Sequence, residues 1–581
     1  MKRILLAATI LCAPIPAFAG KYYQYPSGTN ATGSEIVGPV RQGSADVTLT
    51  PLQLLYPIAN GLLDIAGAIA TPAAGANTQP LSVLLGQIQI VPDWFKQTAD
   101  GNDDAPSIQR AMNAVCAAHL TRKIDLEART YEIDSAVTAP CPLTLEGQGM
   151  GTVPTEYGTW LHIGGTSFTP FTFPAAARGS NIERLGFVED MPADTGPSWT
   201  PTAYPFVVNC QSGNVNMNWI MFNPVYDGVN LTTCARNTLN NIYGQVMDTG
   251  FLLDQSFDVN HIGTIHFWPF YSPASPDILN YTQQHAIAFL LKRVDGFFAD
   301  SIFTFAMKSA VQVDQQTSTA NGYQTGALTI GDIKELHAEM SLYPLWVTGS
   351  SAADGLEPDL HIGYFNVDES QWGSNASVSG GTSINIDNAG QIELAIDRFK
   401  SNNAENSAIE INNGTLPSVL TIGHFYATRF DSHANGTSAI FATNTLTNPP
   451  HKISIATLPI IESAGEANPP ILNATNAVVT MPLYPTAVYA ATSGSTYAIT
   501  NGTQNAYMSS GSTLATLTLT LPPNPPDGWP VNITFGSAVT ALTVNANSGQ
   551  AMDGATATSA TSGQTLRYIW SVGAGAWIRQ Q

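Results

Sequence analysis

The chain has 581 residues, too long for a single compact domain, and its 44% hydrophobic content is enough for a large core. Only 11% of the residues are charged, against roughly 25% in an ordinary soluble protein; the polar surface must come from Ser, Thr, Asn, Gln and Gly, which suits stacked strands and turns and argues against charged helices. The net charge of -21 leaves no basic surface of the kind that nucleic-acid binding requires.

Residues 1–19 read as a signal peptide. Lys2 and Arg3 precede a short apolar core, Ile4 to Cys12, and Ala17-Phe18-Ala19 forms a small-x-small cleavage site before Gly20. The core is too short to span a bilayer, and Leu11 before Cys12 makes a poor lipobox. The expectation is a secreted, extracellular chain with no membrane insertion. Export leaves Cys116, Cys141, Cys210 and Cys234, an even number in an oxidising compartment. Four cysteines allow three pairings, and composition does not choose among them.

Residues 20–90 form a leader rich in Ala, Leu and Thr. Gly33 to Gly43, followed by Val47 to Leu52, resembles the small head segment of phage tail fibres, which implies a strand pair and then a short helix. A plain amphipathic leader fits the same residues.

At the next segment Trp94-Phe95 leads into Thr98-Ala-Asp100-Gly101-Asn-Asp103-Asp104-Ala-Pro106-Ser-Ile108-Gln109-Arg-Ala111. Asp103 or Asp104 can cap a helix whose first turn holds Pro106. Ile108, Met112, Val115 and Cys116 then share one face. Such a helix would cover the open end of a β-stack, which otherwise exposes unpaired edges. The stretch resembles the D-G-x-x-D-D-x-x-x-I-Q-x-A entry motif of the pectate-lyase-like superfamily, common in phage tailspikes and polysaccharide depolymerases. That resemblance implies a right-handed parallel β-helix. It says little about chemistry, because lyases, hydrolases, epimerases and non-catalytic binders share it.

A repeat through residues 91–466 points to the same all-β architecture. It reads apolar-x-apolar-x-x-apolar, with Gly, Asn or Asp often in the gap. The clear copies centre on Ile330, Ile362, Ile396, Ile422 and Ile455; looser ones are keyed on Leu145, Ile182, Met217, Leu239, Ile262 and Ala299. Successive keys lie 22 to 37 residues apart. Irregular periods with strand-type alternation inside each unit fit a β-solenoid. Alternation sends two apolar residues inward, a small residue turns the corner, and stacked coils share one core. A propeller would show more regular periods and its signature dipeptides. Eleven coils at about 4.8 Å per step give a stack about 50 Å long. In this register Cys210 and Cys234 sit about one coil apart, and Cys116 on the capping helix lies near Cys141 before the first keyed strand. The favoured disulfides are therefore Cys116–Cys141 and Cys210–Cys234.

Chemistry is sought in clustered carboxylates, because glycosidic hydrolysis needs two of them. In Lys334-Glu335-Leu336-His337-Ala338-Glu339, strand geometry puts Glu335, His337 and Glu339 on one face. Asp368 and Glu369 follow one coil later at a similar offset. Glu335, Glu339, Asp368 and Glu369 are the candidate catalytic residues, with His337 beside them as a substrate-binding group. A second cluster, Asp248, Asp254 and Asp258, leads into His261-Ile-Gly-Thr-Ile-His266-Phe267-Trp268-Pro-Phe270. Its His-Phe-Trp-Pro-Phe run resembles a segment of phage tailspike-like proteins. His266, Trp268, Asp254 and Asp258 are the further binding candidates, His266 and Trp268 sharing a strand face. No metal-ligand spacing is present and no cofactor is expected, although a lyase would call for Ca2+, Lys or Arg to neutralise a uronate.

A Pro-containing linker at 467–487 precedes a small β-sandwich-like domain at 488–581, marked by alternating strands such as Leu514 to Leu521, Val531 to Phe535 and Leu566 to Trp570. These resemble C-terminal modules of phage tail fibres, and a homotrimer follows from that resemblance alone. Asp527, Asp553, Arg567 and Arg579 are nearly its only charges, and Trp529, Trp570 and Trp577 suit core packing or sugar stacking. The whole reads as an extracellular polysaccharide-degrading enzyme, hydrolase or lyase, of tailspike-like build, virion-associated instead of secreted if the chain is phage-derived. A non-catalytic glycan-binding adhesin on the same scaffold is the alternative.

Overall fold

The structure, a computed structural model, describes residues 90–580 except 118–121, 212, 350–357, 369–380, 388–389, 415, 432–436, 445–448, 458, 464–471, 476, 483–486, 501, 524 and 526; before residue 90 it describes only the backbone of 39–42, 45–48, 69–70 and 79–80. The expected signal peptide and the short helix of the leader lie outside the described residues. The leader's strand pair is present as an antiparallel hairpin, Pro39–Gln42 with Ala45–Thr48.

The body is a right-handed parallel β-helix. Long strands such as Ser180–Glu189, Val215–Val225 and Thr238–Val246 alternate along the chain with short ones such as Val208–Cys210, Val229–Thr232 and Thr249–Asp254. Long pairs with long and short with short, always in parallel, so the described residues form a sixteen-stranded and a twelve-stranded sheet. Two coupled parallel ladders with one crossover per coil can only be a helical winding.

The repeat register is visible in a single inward column: Ile124, Leu145, Ile182, Met217, Leu239, Ile262, Ala299, Ile333, Ile362, Ile396, Ile422 and Ile455 face one another rung by rung. All twelve are buried. Ile330, expected in this column, stands outside it and is 45% exposed; Ile333 holds the position. The cause is Gly331. It occupies the inward seat that Leu360, Leu394 and Leu420 take on the following rungs. A Cβ on Gly331 would come within 2.7 Å of Leu360 Cδ1, so the neighbouring leucine fills the space. An apolar pattern cannot register a seat held by glycine and slips by three residues. Elsewhere the core stacks rings along the axis, as in Phe365–Phe399–Phe425 at centroid spacings of 5.2 and 5.5 Å. Each buried Phe contributes roughly 1.5–3 kcal/mol.

Helix α1, Ala105–Ala117, covers the first coil with Ile108, Met112 and Val115 fully buried. The acidic entry motif is spent on this cap. Asp103 accepts the Ala105 amide at 2.9 Å, Asp100 pairs with Arg110, and buried Asp104 binds Lys96 and Arg129. The disulfides Cys116–Cys141 and Cys210–Cys234 are both formed. The first ties α1 to the stack and the second joins consecutive coils.

The winding extends through Leu472–Thr475 and Ala477–Thr480, inside the stretch that the prolines mark as a linker. The C-terminal unit has its expected antiparallel pairs, Pro530–Phe535 with Thr565–Ser571 and Thr565–Ser571 with Ala576–Gln580. It also has two three-stranded parallel sets, one of Ala487–Ala490, Asn505–Ser509 and Pro530–Phe535, the other of Ser495–Ala498, Leu514–Thr520 and Val539–Asn545, and a short parallel pair of Ala551–Asp553 with Ala576–Gln580. Alternation dictates which face a residue takes, not strand direction, so these parallel pairs were not legible. Trp529, Trp570 and Trp577 are buried there. Among the described residues no helix is long and apolar enough to cross a membrane.

Candidate active site

Loop length divides the coils sharply. After Ser180–Glu189 the chain makes an excursion, 190–207, before Val208–Cys210. After Ser256–Phe267 a second excursion, 268–286, carries helix α2, Pro276–His285. Between them lie two consecutive tight coils whose corners are only Tyr226-Asp227-Gly228 and Met247-Asp248. The long loops make walls, and the tight corners make a floor. Trp199 of the first wall packs with Met247 of the floor and Ile278 of α2, and its ring meets Tyr281 edge-on at 5.5 Å.

The floor carries carboxyl groups on successive coils. Asp227 and Asp248 both reach Thr249: its amide donates to Asp227 Oδ1 at 3.0 Å and its hydroxyl to Asp248 Oδ2 at 3.5 Å. Burial, reinforced by the charge of Asp248, pushes Asp227 up to about 7. Burial also raises Asp248, but His285, Thr249 and Lys308 pull it back toward the ionised form. Asp227 has no cation among its influences, so the proton shared in this pair rests on Asp227. Glu189, one coil earlier, is 1% exposed and held well above the carboxylate range by burial; its Oε2 accepts the Tyr226 amide at 2.6 Å.

Aromatic groups line the cleft. The Tyr226 and Tyr281 hydroxyls hydrogen-bond one another, and burial raises both phenols. Tyr281 stacks on His285 at 4.3 Å; burial lowers the pKa of His285, as does nearby Lys308. The first wall is anchored at its base by His162, whose Nδ1 lies 2.5 Å from Glu132 Oε2 and whose Nε2 lies 3.1 Å from Asp190 Oδ1. Burial opposes protonation of His162, yet these two carboxylates raise its pKa.

The residues singled out from sequence are distributed as follows. Glu335, His337 and Glu339 point outward from the strand Leu328–Glu339, with Glu335 exposed and the other two half-buried. Glu339 faces Asp368 on the next rung. His337 Nε2 lies 3.1 Å from Glu339 Oε1 and 2.9 Å from Asn366 Nδ2. Glu369 lies outside the described residues. His266 and Trp268 share this outward face, while Phe267 is buried inward. Rings run along the axis there: Tyr243, His266, Phe303 and His337 at spacings of 6.0, 4.5 and 5.1 Å. Burial lowers the pKa of His266. Asp254 is 4% exposed and binds Gln316 at 2.5 Å, and exposed Asp258 pairs with Arg236 at 2.6 Å. Neither joins the aromatic face. Helix α2 lies between the two regions: Leu279 packs on Ala306 and Met340 beside the outer face, while Ile278 faces the cleft.

Asp227 and Glu189 were not singled out by sequence reasoning, and Asp248 entered only as part of a looser cluster. One signal was available. The keys Met217, Leu239 and Ile262 enclose the two shortest periods, 22 and 23 residues, and each of those coils puts an Asp nine or ten residues past its key.

No family model matches the chain, and no curated protein matches it. Among solved structures, the chain is similar to the catalytic domain of a GH87 alpha-1,3-glucanase in complex with nigerose, with 14% identity and a TM-score of 0.36; the match covers 64% of this chain and 66% of that domain, just under two thirds of its length. It is also similar to full-length tailspike protein 2 from Escherichia coli O157:H7 bacteriophage CAB120, with 14% identity over 63% of this chain and 49% of that one and a TM-score of 0.36. Tailspike protein 3 of bacteriophage CBA120 shows 12% identity over 92% of this chain and 77% of that one, with a TM-score of 0.33. The β-helix assignment stands on the strand pairing of this chain itself.

Proposed function

We propose that the protein is an extracellular glycoside hydrolase that cleaves a polysaccharide in the cleft over its two tight coils. The observation that carries this reading is the Asp227–Asp248 pair, two desolvated carboxyl groups on adjacent coils whose surroundings split their protonation. Glycosidic hydrolysis asks for that division: one carboxyl protonated to assist the leaving oxygen, the other ionised to activate water or attack the sugar. Asp227 takes the acid role because it holds its proton to about pH 7. Asp248 takes the base or nucleophile role because His285 and Lys308 favour its anion. Buried Glu189 accepts the Tyr226 amide and so fixes the corner that presents Asp227. The partly buried rings of Tyr226 and Tyr281 are the candidates for stacking on sugar rings, while buried Trp199 braces them. The two disulfides favour an oxidising, extracellular setting.

A second reading, a glycan-binding protein without chemistry, draws on the outer-face rings from Tyr243 to His337. Their spacing is close to the rung repeat and to the length of a pyranose unit, so they favour a binding track. The two readings part in one assay. A panel of bacterial polysaccharides is incubated with the protein and followed for reducing ends and for absorbance at about 235 nm, where the unsaturated product of lyase elimination absorbs. Reducing ends without absorbance support the hydrolase, growth of absorbance means a lyase, and retention of glycan with neither leaves the binder.

A further inference from the structure

Lys308 opens the coil after α2, at the start of the strand Ser309–Val313. Its amide donates to Ala286 O, and the next residue back on that ladder is Asp248, whose carbonyl accepts the Ile287 amide. Lys308 therefore sits two rungs from Asp248, about 10 Å along the axis. Its ammonium lies 4.4 Å from the ring centroid of Trp346. Trp346 itself is held by Asp387, which accepts its indole N–H at 2.7 Å, and by Tyr343, 5.5 Å away. Among the described residues no carboxylate oxygen comes within 4 Å of the Lys308 ammonium. A half-buried lysine without a carboxylate in direct contact is only partly compensated. Asp248 and Asp387 act on it only at longer range, and burial keeps its pKa below the usual value. The chain has just 22 Lys and Arg, and several of its others, such as Lys96, Lys123, Arg129 and Lys334, are spent on carboxylates.

Resting on the hydrolase reading above, we propose that Lys308 is a specificity-determining residue which binds an anionic substituent of the glycan, a sugar-ring carboxylate, on a subsite floored by Trp346 and lying one or two sugars from the Asp227–Asp248 pair. The geometry supports both parts of such a contact. Trp346 and Tyr343 supply the apolar face for the ring, and Lys308 supplies the charge for its edge. A neutral glycan would leave the ammonium with only the Trp346 ring and the distant charges of Asp248 and Asp387, whereas a carboxylate would add a direct ion pair. The selectivity expected is correspondingly large.

The test uses the full chain carrying Asp227→Asn, so that bound glycan is not cleaved. Oligosaccharides of galacturonan, alginate, hyaluronan and sialylated glycans, each with its carboxyl-reduced counterpart, are titrated calorimetrically. The expected result is binding of at least one acidic member with its reduced counterpart weaker by roughly tenfold or more. Adding Lys308→Met should remove that preference, lowering acidic affinity by about tenfold and leaving the reduced form unchanged. Lys308→Arg should restore most of it. Circular dichroism checks that each variant keeps the solenoid. Equal binding of acidic and reduced partners, an equal loss for both in Lys308→Met, or no binding of any acidic member overturns the proposal. Failure of the hydrolase reading shows separately, as an absence of new reducing ends with the unmodified protein, and leaves the binding comparison intact.

Discussion

Two parts of the same sheet system carry clustered ionisable groups, and they differ in one physical respect. On the outer face, Glu335, His337, Glu339 and Asp368 stand on regular strands with solvent over them. On the floor of the cleft, Asp227 and Asp248 stand at corners with walls over them. A β-helix brings residues of neighbouring coils within about 5 Å wherever they lie, so proximity alone does not make a reactive pair. Desolvation does, and it comes from the loops at 190–207 and 268–286.

The largest expected effect tests this difference directly. Asp227→Asn and Asp248→Asn should each lower kcat by about 10²–10⁴-fold, whereas Glu339→Gln on the outer face should change it by less than about tenfold. Rates of reducing-end release on the same polysaccharide give the comparison, and the opposite ranking would move the active site to the outer face.

The same proton provides a pH test of almost equal size. Because Asp227 acts while protonated, the rate should fall as pH rises through about 7. Stability should follow it. Asp227 is raised from 3.8 to about 7 in the folded chain. Between those values the folded state keeps a proton that the unfolded state has lost, so stability declines as pH rises across that window. Thermal unfolding from pH 4 to 8 should show this decline, and Asp227→Asn should flatten it. An unchanged slope in the variant would detach Asp227 from the effect.

A third change sharpens the role of the walls. Trp199→Ala removes the ring that packs between Met247, Ile278 and Tyr281. It should lower kcat/KM by about 10–100-fold through lost positioning, with the β signal in circular dichroism unchanged. The smallest effect belongs to the outer face. His266→Ala deletes a ring stacked 4.5 Å from Phe303. It should weaken glycan retention by about 2–10-fold, the scale of one aromatic contact, and leave kcat as it was.

The fold was largely legible in the sequence because a solenoid writes its core as a period. The keys from Leu145 to Ile455 fall in one column, the exception being Ile330, where Gly331 holds the inward seat and displaces the pattern. Both disulfides followed from the same register. The cleft was much less legible. Its acids are ordinary members of turn sequences, Tyr-Asp-Gly and Met-Asp-Thr, where turn formation is a sufficient reason for Asp. What distinguishes them is cover supplied by residues 20 to 60 positions away, and sequence shows the length of a loop without its destination. The run from Glu335 to Glu339 drew notice for the converse reason, because charge stands out in a charge-poor strand whether or not anything covers it.

The tight coils have a consequence for what the cleft can hold. Its two walls spring from coils separated by three rungs, about 14 Å apart along the axis at their bases, and Trp199 of one wall bridges that gap to Ile278 and Tyr281 of the other. That width is not continuously adjustable. It changes only when a whole coil is gained or lost between Val215 and Val246, in steps of about 4.8 Å, close to one sugar. On the hydrolase reading proposed above, deleting one tight coil would bring the walls one rung closer and carry away half of the carboxyl pair.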